Sequence, residues 1–344
     1  MMFYKIVFVL CCLCVVDGQF IPRVNFPTLD GNILIPSQFT MHGGPTTQPN
    51  TALQLTNEHG TQQNAVSWYN KKFLVRGFDT NFTVQMTSKH PDGNKGYFDG
   101  FTFLISSAGL LATGVGDGGL GYGSVPSLDN GIFGCVAIEF DQHQDDDLND
   151  PSPSHISIHG VVKDGTTTKR NNAHEDAAIP GGVFKQLTPM GNNTQTTFRV
   201  MYDPTTKVIQ IFNYASSLVP LVHTTLDLNQ YINIDSDGAA FVGFSSSTGK
   251  YSETHEIVRW SYNFLGKPEP TKTKLTGDGF TKAIAGETAT FEIQLVDQFG
   301  NDYITTPVPK VEIDMKPKEI SKNIQYNEKG KFTITYNTTV AGKT

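Results

Sequence analysis

The stretch that decides the fold is VAIEFDQHQDDDLNDPSPSHISI, residues 136–158. It opens as an apolar strand with Glu139 and Asp141 two residues apart, so both carboxylates face the same side of that strand. An acidic loop follows, and His155 begins a second alternating strand, which can fold back and bring its imidazole to the same place. Two strands joined by a carboxylate-rich loop predict a cation-binding site on an antiparallel sheet.

The residue types in this stretch suit two kinds of cation. Carboxylates bind Ca²⁺, and carboxylates with one imidazole suit a transition ion such as Mn²⁺. Asp141 and Asp150 could bridge two ions, which would explain why acids cluster that otherwise repel one another. A run of aspartates can also be a solvated acidic loop, but the ordered Glu-x-Asp and the histidine favour a metal site. An EF-hand does not fit, because counting from Asp145 puts Pro151 and Ile156 at its seventh and twelfth positions.

Composition narrows the class of protein. The 344 residues carry 26 Lys and Arg against 33 Asp and Glu, a net charge of −7. This balance excludes the basic excess of a nucleic-acid-binding protein, so we expect no nucleic acid as a partner. Runs rich in Phe, Val and Ile, such as residues 101–105 and 208–212, recur between Gly, Pro and Asn turns without a long helical period. The sequence therefore predicts an all-β protein, a sandwich or a barrel.

The N-terminus has the pattern of a secretory signal peptide over residues 1–18. Lys5 precedes a short apolar run, and Gly18 ends it. We therefore expect a secreted, extracellular or cell-surface protein, with no segment long enough to span a membrane. Three of the four cysteines lie in this leader. The remaining one, Cys135, lies in an apolar strand and is expected to be buried, unreactive and outside any internal disulfide.

Three Asn-x-Thr sequons agree with the secretory route. They begin at Asn81, Asn192 and Asn337, and each is a candidate glycosylation site. Such sequons also arise by chance in a chain rich in Asn and Thr.

A linker divides the chain into two domains. Residues 265–273 are rich in Pro and Lys, which is typical of a semi-rigid spacer. The strand pattern beyond it contains more Lys, Thr and Ile. We place the first domain at 20–264 and the second at 274–344.

The opening stretch resembles the metal-binding segment of the L-type, or legume-type, lectins. The shared order is Glu-x-Asp on a strand, then Asp-Pro, then the His-Ile strand that begins at His155. Further resemblances follow the same order: FDGFTF at 98–103 resembles the family's Asp-Gly strand, GGLGY at 118–122 its glycine loop, and VGFSSSTG at 242–249 its closing strand. The resemblance covers nearly the whole first domain. It implies a jelly-roll, concanavalin-like antiparallel β-sandwich.

The resemblance also implies metal ligands, position by position. The residues that would hold a transition ion such as Mn²⁺ are Glu139, Asp141, Asp150 and His155. Those that would hold Ca²⁺ are Asp141, the backbone carbonyl of His143, Asp145 and Asp150.

For a carbohydrate ligand, the resemblance implies two groups. Asp99 would accept hydrogen bonds from sugar hydroxyls, and the backbone N–H of Gly119 would donate one. The register between Gly118 and Gly119 is left open.

Two positions depart from the family's pattern. Asp145 stands where the family has Asn, which lends its oxygen to Ca²⁺ and its amide N–H to the sugar, whereas an ionised Asp only accepts. His143 stands at the usual aromatic stacking position, and an imidazole stacks less well than Phe or Tyr. Tyr251 in the closing loop is an alternative apolar face for a sugar.

The second domain resembles filamin-type immunoglobulin-like repeats. The stretches that carry this resemblance are Gly-x-Gly at 277–279, AGETATFEI at 285–293, DQFGN at 297–301 and GKFTITY at 330–336. The chain stops just before the last strand of such a repeat. We therefore expect an incomplete β-sandwich with an open edge. We predict that the sequence is a fragment of a longer protein. The alternatives are a partner's strand that fills the gap and an incomplete, mobile domain.

These observations favour a secreted, Ca²⁺/Mn²⁺-dependent carbohydrate-binding protein on an immunoglobulin-like stalk. Its partners would be glycans or glycoproteins, and a homo-oligomer is left open. The alternative is an adhesion or structural protein that keeps the metal-stabilised lectin fold but binds protein instead of sugar.

An enzyme is not expected. A jelly-roll glycosidase needs a second carboxylic acid shortly after Glu139-x-Asp141. The positions where that acid would stand hold His143 and Gln144, and neither side chain is a carboxylic acid. The His-Glu pairs at 174–175 and 255–256 lack the second histidine of a zinc protease motif and are interpreted as chance dipeptides.

Overall fold

The computed structural model of the chain describes residues 5–8, 29–30, 36–45, 51–88, 96–126, 128–204, 206–213, 219–236, 238–264, 269–296, 302, 311–314, 321–327 and 330–337. It divides into two units, residues 26–264 in one and residues 1–25 with 265–344 in the other. The strands, in chain order, are β1 (Lys5–Phe8), β2 (Leu29–Asp30), β3 (Phe39–Gly43), β4 (Leu53–Thr56), β5 (Asn64–Tyr69), β6 (Phe73–Leu74), β7 (Phe78–Ser88), β8 (Gly96–Ser106), β9 (Cys135–His143), β10 (His155–Gly160), β11 (Asn192–Tyr202), β12 (Val208–Asn213), β13 (Val222–Thr225), β14 (Ala239–Ser247), β15 (Glu253–Phe264), β16 (Lys274–Thr276), β17 (Thr288–Gln294), β18 (Val311–Asp314), β19 (Lys322–Tyr326) and β20 (Lys331–Asn337).

Helical structure in the described residues is confined to single 3-10 turns. They are Pro36–Gln38, Asp117–Gly119, Asp146–Leu148, Glu175–Ala177, Leu228–Gln230, Pro270–Lys272 and Asp278–Phe280. None of the described helices is long and apolar enough to cross a membrane.

Two seven-stranded antiparallel sheets build the first unit. One has the order β10-β9-β8-β14-β5-β3, with β6 also paired to β14. The other has the order β13-β12-β11-β7-β15-β2, with β4 also paired to β15. This is the antiparallel jelly-roll sandwich that the sequence predicts.

The core of the first unit lies between its two sheets. Buried aromatic rings from both sheets meet there, among them Phe82, Phe103, Phe140 and Trp260. Side chains of β15 alternate between buried and partly exposed, as expected for a strand with one face on the core. The sheet that contains β9 shows no such alternation on that strand, since eight of the nine residues of β9 are buried.

The outer face of the first sheet is covered by loops. Trp68, Leu104 and Ala137 on the strands pack there with Tyr122 and Leu148 from two loops. This second cluster explains why β9 is apolar on both faces. It also brings the glycine loop and the acidic loop down onto the strands that carry the predicted metal ligands.

The single cysteine outside the leader behaves as expected. Cys135 begins β9, is 2 % exposed and forms no disulfide. Burial raises the pKa of its thiol to about 12. The thiol is therefore protonated and inert at neutral pH.

The candidate glycosylation sites differ in accessibility. Asn81 is partly buried in the middle of β7, and its Nδ2 donates to Ser261 Oγ at 3.2 Å. Asn192 and Asn337 are exposed at strand ends. The threonines that complete the Asn337 sequon lie outside the described residues. All three remain predictions.

The second unit contains a four-stranded sheet, β16-β17-β20-β19, and a two-stranded one, β1-β18. Its core includes Phe291, Ile293 and Ile334. Together with the jelly roll, it gives the all-β, two-sandwich class that the sequence predicts. The DQFGN stretch and the residues after Asn337 lie outside the described part of the chain.

Four residues of the predicted leader are described. Lys5–Phe8 form β1 and pair antiparallel with β18, from Lys5 opposite Asp314 to Phe8 opposite Val311. The rest of the leader lies outside the described residues, and its role as a signal peptide remains a prediction.

Candidate functional site

The hairpin of β9 and β10 brings the predicted transition-ion ligands together. His155 is directly opposite Asp141, and Ser157 is opposite Glu139. The side chains of Glu139 and His155 are almost fully buried, and Glu139 Oε1 lies 3.7 Å from His155 Nε2. The fold-back that the sequence predicts is therefore present.

Two further side chains join this pair. Glu175 Oε1 lies 3.3 Å from His155 Nε2 and 3.2 Å from His159 Nε2. His159 Nε2 in turn lies 3.8 Å from Glu139 Oε2. Ligand atoms of Glu139, His155 and Glu175 all lie within 4.8 Å of one another. We call Glu139, His155, His159 and Glu175 the inner cluster.

Charge in the inner cluster is distributed unevenly. Burial and the nearby Glu175 carboxylate raise the pKa of Glu139 well above its usual value, although Tyr122 donates a hydrogen bond to it. Burial also acts to raise the pKa of Glu175, but hydrogen bonds with His155 and His159 outweigh it and lower that pKa. The cluster thus pairs a carboxylate that resists ionisation with one that favours it.

Local hydrogen bonds shape the end of β9 and the acidic loop that follows it. Asp141 Oδ1 accepts from the backbone N–H of His143 at 2.6 Å, and Asp150 Oδ2 accepts from that of Asp145 at 2.6 Å. A 3-10 turn, Asp146–Leu148, lies within the segment that the second contact closes. These contacts fix the Asp141 carboxylate at the end of β9 and close the loop between Asp145 and Asp150.

These carboxylates carry a strong mutual repulsion. Burial, then Asp150 and Glu139, raise the pKa of Asp141 well above its usual value. Burial raises the pKa of Asp150 to about 7. Buried carboxylates that penalise one another are stabilised by a bound cation. The donors present, carboxylate oxygens and an imidazole nitrogen, fit Ca²⁺ and a transition ion.

Asp99 lies in an irregularity at the start of β8. The register with β9 shifts between Gly96 and Gly100, and Asp99 takes a left-handed backbone with φ of +51°. Its carboxylate is buried, and Ser247 Oγ donates to Oδ2 at 3.3 Å. Burial, then Asp117 and Asp145, raise its pKa well above the usual value.

The glycine loop packs against both the acidic loop and the closing loop. A Cβ at Gly118 would lie 2.6 Å from Asp145 Oδ2, and a Cβ at Gly249 would lie 2.4 Å from Asp117 Oδ1 and 3.4 Å from Asp99 Oδ1. Residues 96–100, 116–121, 145–150 and 248–251 therefore meet around Asp99. We call these four segments the site loops.

The backbone N–H of Gly119 already has a partner. It donates to the carbonyl of Gly116 at 3.1 Å inside the 3-10 turn. The sugar-donor role that the resemblance implies for Gly119 would require this contact to be shared or broken.

Two rings border the site loops. His143 is mostly buried, and its Nε2 lies 3.9 Å from Asp145 Oδ1. Tyr251 is partly exposed, and Lys250 Nζ lies 5.0 Å from the centre of its ring. The side chain of Tyr251 is therefore partly accessible at the border of the site loops.

A sealed polar layer supports the Asp99–Gly100 backbone. Ser246 Oγ donates to the Gly100 carbonyl at 2.7 Å and also contacts His255 Nδ1. His255 Nε2 lies 3.3 Å from Glu253 Oε2. All three side chains are buried, so this serine-histidine-glutamate arrangement positions backbone and is not exposed to a substrate.

The structure supplies an acid that the sequence argument against a glycosidase did not consider. Glu175 approaches Glu139 from a turn far along the chain. Their side chains are only 7 % and 2 % exposed, however, and two imidazoles lie against them. A glycosidic bond could not reach this pair, so the glycosidase interpretation stays disfavoured on grounds of access.

Sequence reasoning missed Glu175, His159 and Asp117. Of these three residues, only His159 could have been found from the sequence, because it lies four residues after His155 and therefore faces the same side of the strand. Glu175 lies on a 3-10 turn 20 residues from His155, and Asp117 was treated only as part of a glycine-rich loop. Neither position follows from local pattern.

Comparison with known proteins agrees with this architecture. The legume lectin domain model matches residues 25–277, and the Filamin/ABP280 repeat model matches residues 267–344. The two matches overlap at residues 267–277, which include most of the predicted linker at 265–273.

Relatives in sequence include a lectin and a receptor kinase. The chain is 28 % identical over 194 residues to a lectin of Leucomphalos mildbraedii, covering 55 % of this chain and 69 % of that protein. It is also 28 % identical over 191 residues to the L-type lectin-domain containing receptor kinase VIII.1 of Arabidopsis thaliana. That match covers 54 % of this chain but only 23 % of the kinase's length.

Solved structures share the fold at low identity. Peanut lectin, solved with a nine-residue peptide, has a TM-score of 0.53 and 20 % identity, covering 70 % of this chain and 97 % of that one. The lectin of Bauhinia forficata, in complex with GalNAc, has a TM-score of 0.51 and 22 % identity, covering 68 % and 95 %. With the family match across most of the chain, these findings lead to one conclusion. The chain belongs to the legume lectin family.

Proposed function

We propose that the chain is a secreted or cell-surface carbohydrate-binding lectin that depends on Ca²⁺ and on Mn²⁺ or another transition ion. The observation that carries this proposal is the meeting of the four site loops around Asp99. Each of the four segments contributes a residue type suited to a polar ligand. The immunoglobulin-like domain would act as a stalk.

The charge of the site loops favours a ligand that donates hydrogen bonds. Asp99, Asp117 and Asp145 lie close enough for each of the last two to raise the pKa of Asp99. Carboxylates at such a site accept hydrogen bonds from hydroxyl groups. A sugar presents several hydroxyl donors together, and the Bauhinia forficata neighbour was solved with GalNAc.

The cations would act through the acidic loop. Bound Ca²⁺ and a transition ion would supply positive charge that offsets the repulsion among buried carboxylates. Asp141 accepts from the backbone N–H of His143 at the end of β9, and Asp150 closes the loop by accepting from that of Asp145. Asp145 in turn lies against Gly118 of the glycine loop. The metal-loaded loop would thereby fix the shape of the sugar site.

A glycan array with and without EDTA tests this proposal. We expect the whole chain to bind defined glycans, to lose them in EDTA, and to recover them when Ca²⁺ and Mn²⁺ are restored. Asp99→Asn should abolish binding, whereas Asp147→Asn, in the exposed part of the acidic loop, should not. Glycan binding that persists both in EDTA and in the Asp99→Asn variant would contradict the proposal.

A second candidate is an adhesion or structural protein that binds protein. Two observations favour it: Asp145 replaces the family's Asn, and the Gly119 N–H is used inside its own turn. An array without hits, together with cell or matrix adhesion that survives glycosidase treatment of the partner, would support this function. Loss of adhesion after deglycosylation of the partner would instead favour the carbohydrate-binding function.

Location and assembly follow the same proposal. Expression in eukaryotic cells should release a product whose N-terminus follows residue 18, and retention inside the cell would contradict secretion. Treatment with an N-glycosidase should reduce its mass if any of Asn81, Asn192 and Asn337 carries a glycan. Light scattering on the purified product would show whether it forms a homo-oligomer.

A further inference from the structure

We propose that the transition ion of this chain is Zn²⁺, held by the inner cluster of Glu139, His155, His159 and Glu175, with Asp141 and Asp150 left to Ca²⁺. His159 and Glu175 lie outside the ligand set that the family resemblance implies. The inference deepens the metal dependence of the proposed function. It does not require that the protein bind sugar.

The geometry of the inner cluster suits a four-coordinate ion. Zinc bonds to nitrogen and oxygen of about 2.0–2.2 Å place neighbouring tetrahedral ligands roughly 3.3–3.6 Å apart. The contacts of Glu175 Oε1 with the two imidazoles are 3.3 and 3.2 Å. Those of Glu139 with the same imidazoles are 3.7 and 3.8 Å. Small side-chain adjustments would close this set around one ion.

The orientation of both imidazoles agrees with metal binding through Nε2. His155 Nδ1 lies 3.1 Å from the carbonyl oxygen of Ser152, so an N–H there directs Nε2 to the carboxylates. Backbone carbonyls commonly fix metal-binding histidines in this way. His159 Nε2 also points into the cluster, while its buried Nδ1 has no hydrogen-bond partner among the described residues.

The donor set favours zinc over the harder ions. Two imidazoles and two carboxylates suit Zn²⁺, whereas Ca²⁺ prefers oxygen ligands alone and Mn²⁺ is lower in the affinity series. Two ionised carboxylates neutralise the ion's charge. All four side chains are largely buried, between 0 and 7 % exposed, which is typical of a closed structural site.

A metal-free hydrogen-bonded network is the competing interpretation. Glu175 could simply accept from both histidines, because the same distances describe hydrogen bonds. Such a network would need no cation and would leave Glu139 to bind with Asp141 and Asp150. Metal titration separates the two interpretations directly.

The test is calorimetric titration of the whole chain after chelator treatment, with Ca²⁺ present at saturation. We expect one equivalent of Zn²⁺ to bind much more tightly than Mn²⁺. Cobalt substituted for zinc should give the intense visible absorption of a four-coordinate site. A weak, octahedral-type cobalt spectrum, or Mn²⁺ binding as tightly as Zn²⁺, would overturn the proposal without any variant.

Two variants and a matched control locate the site. His159→Gln and Glu175→Gln should each weaken Zn²⁺ binding by more than about tenfold. Asp176→Asn, next to Glu175 but with an exposed side chain, should leave it unchanged. Near-ultraviolet circular dichroism reports whether each variant is folded. Folded variants that bind Zn²⁺ as the parent does would refute the assignment, and this readout is independent of any glycan array.

Discussion

The Cα of Gly100 lies against the main chain of Phe140 on the neighbouring strand. A Cβ at Gly100 would stand 2.3 Å from the carbonyl oxygen of Phe140 and 3.1 Å from the Cα of Asp141. Both are backbone atoms, so no side chain could move aside to make room. The glycine after Asp99 thus allows the strand that carries Asp99 to approach the strand that carries Glu139 and Asp141, the candidate metal ligands.

Gly100→Ala should therefore lower the free energy of unfolding by about 1–3 kcal/mol, since the two strands would have to separate. It should also weaken divalent-cation binding. Urea unfolding and metal titration measure the two effects. Gly60→Ala is the matched control, because its nearest neighbour would be the Gln63 side chain at 3.7 Å. Equal stability of the two variants would mean that the approach of the strands is not constrained at Gly100.

Asp145→Asn should create or strengthen sugar binding. An amide at this position could lend its oxygen to Ca²⁺ while its N–H donates to a sugar, which an ionised Asp cannot do. A glycan array would measure the gain, with Asp147→Asn as the control in the same loop. A variant that binds cations but gains no glycan would show that sugar recognition has been lost more widely, and would favour the adhesion function.

Removal of divalent cations should lower the melting temperature. Burial and Glu175 raise the pKa of Glu139, and burial and Asp150 raise that of Asp141, so both carboxylates resist ionisation and a saturating cation would stabilise the fold. A free cation concentration 100 times the dissociation constant would raise the free energy of unfolding by about 2.7 kcal/mol. For a domain of this size, that is a rise in melting temperature of roughly 5–10 °C. Differential scanning calorimetry with EDTA, then with Ca²⁺ and Zn²⁺ or Mn²⁺ restored, measures the shift. An unchanged transition would contradict a structural role for the ions.

Cys135 should resist alkylation in the folded protein. Because burial raises the pKa of its thiol to about 12, almost no thiolate exists at pH 8, and the side chain is inaccessible as well. Iodoacetamide followed by mass spectrometry of the Cys135 peptide would show little modification in native buffer and full modification in guanidinium. Rapid labelling of the native protein would mean that β9 opens far more readily than its packing suggests.

The hairpin that carries the candidate metal ligands could be predicted because its information is local. Alternation along the strands set which side chains share a face, and the spacing of Glu139 and Asp141 followed from the strand repeat. The turn-rich β pattern gave the sandwich class, and the motifs in order gave the family. Cys135 was correctly placed in the interior because its neighbours are apolar.

Local pattern could not reveal the partners that arrive from elsewhere in the chain. Glu175 reaches the inner cluster from a 3-10 turn, and Asp117 meets Gly249 across the site loops. The Gly119 N–H, assigned to a ligand by resemblance, proved to be engaged in its own turn. Such contacts depend on how loops pack on the outer face of a sheet.

By itself, the sequence determined that this chain forms strands, pairs them into sandwiches and concentrates acids in one loop, since these properties follow from side-chain alternation and composition. Only the tertiary structure decided which of those acids share one environment. Burial and distances of a few ångströms raise the pKa of Glu139 and lower that of Glu175. Electrostatic energies change steeply over such distances, whereas sequence spacing across loops does not fix them.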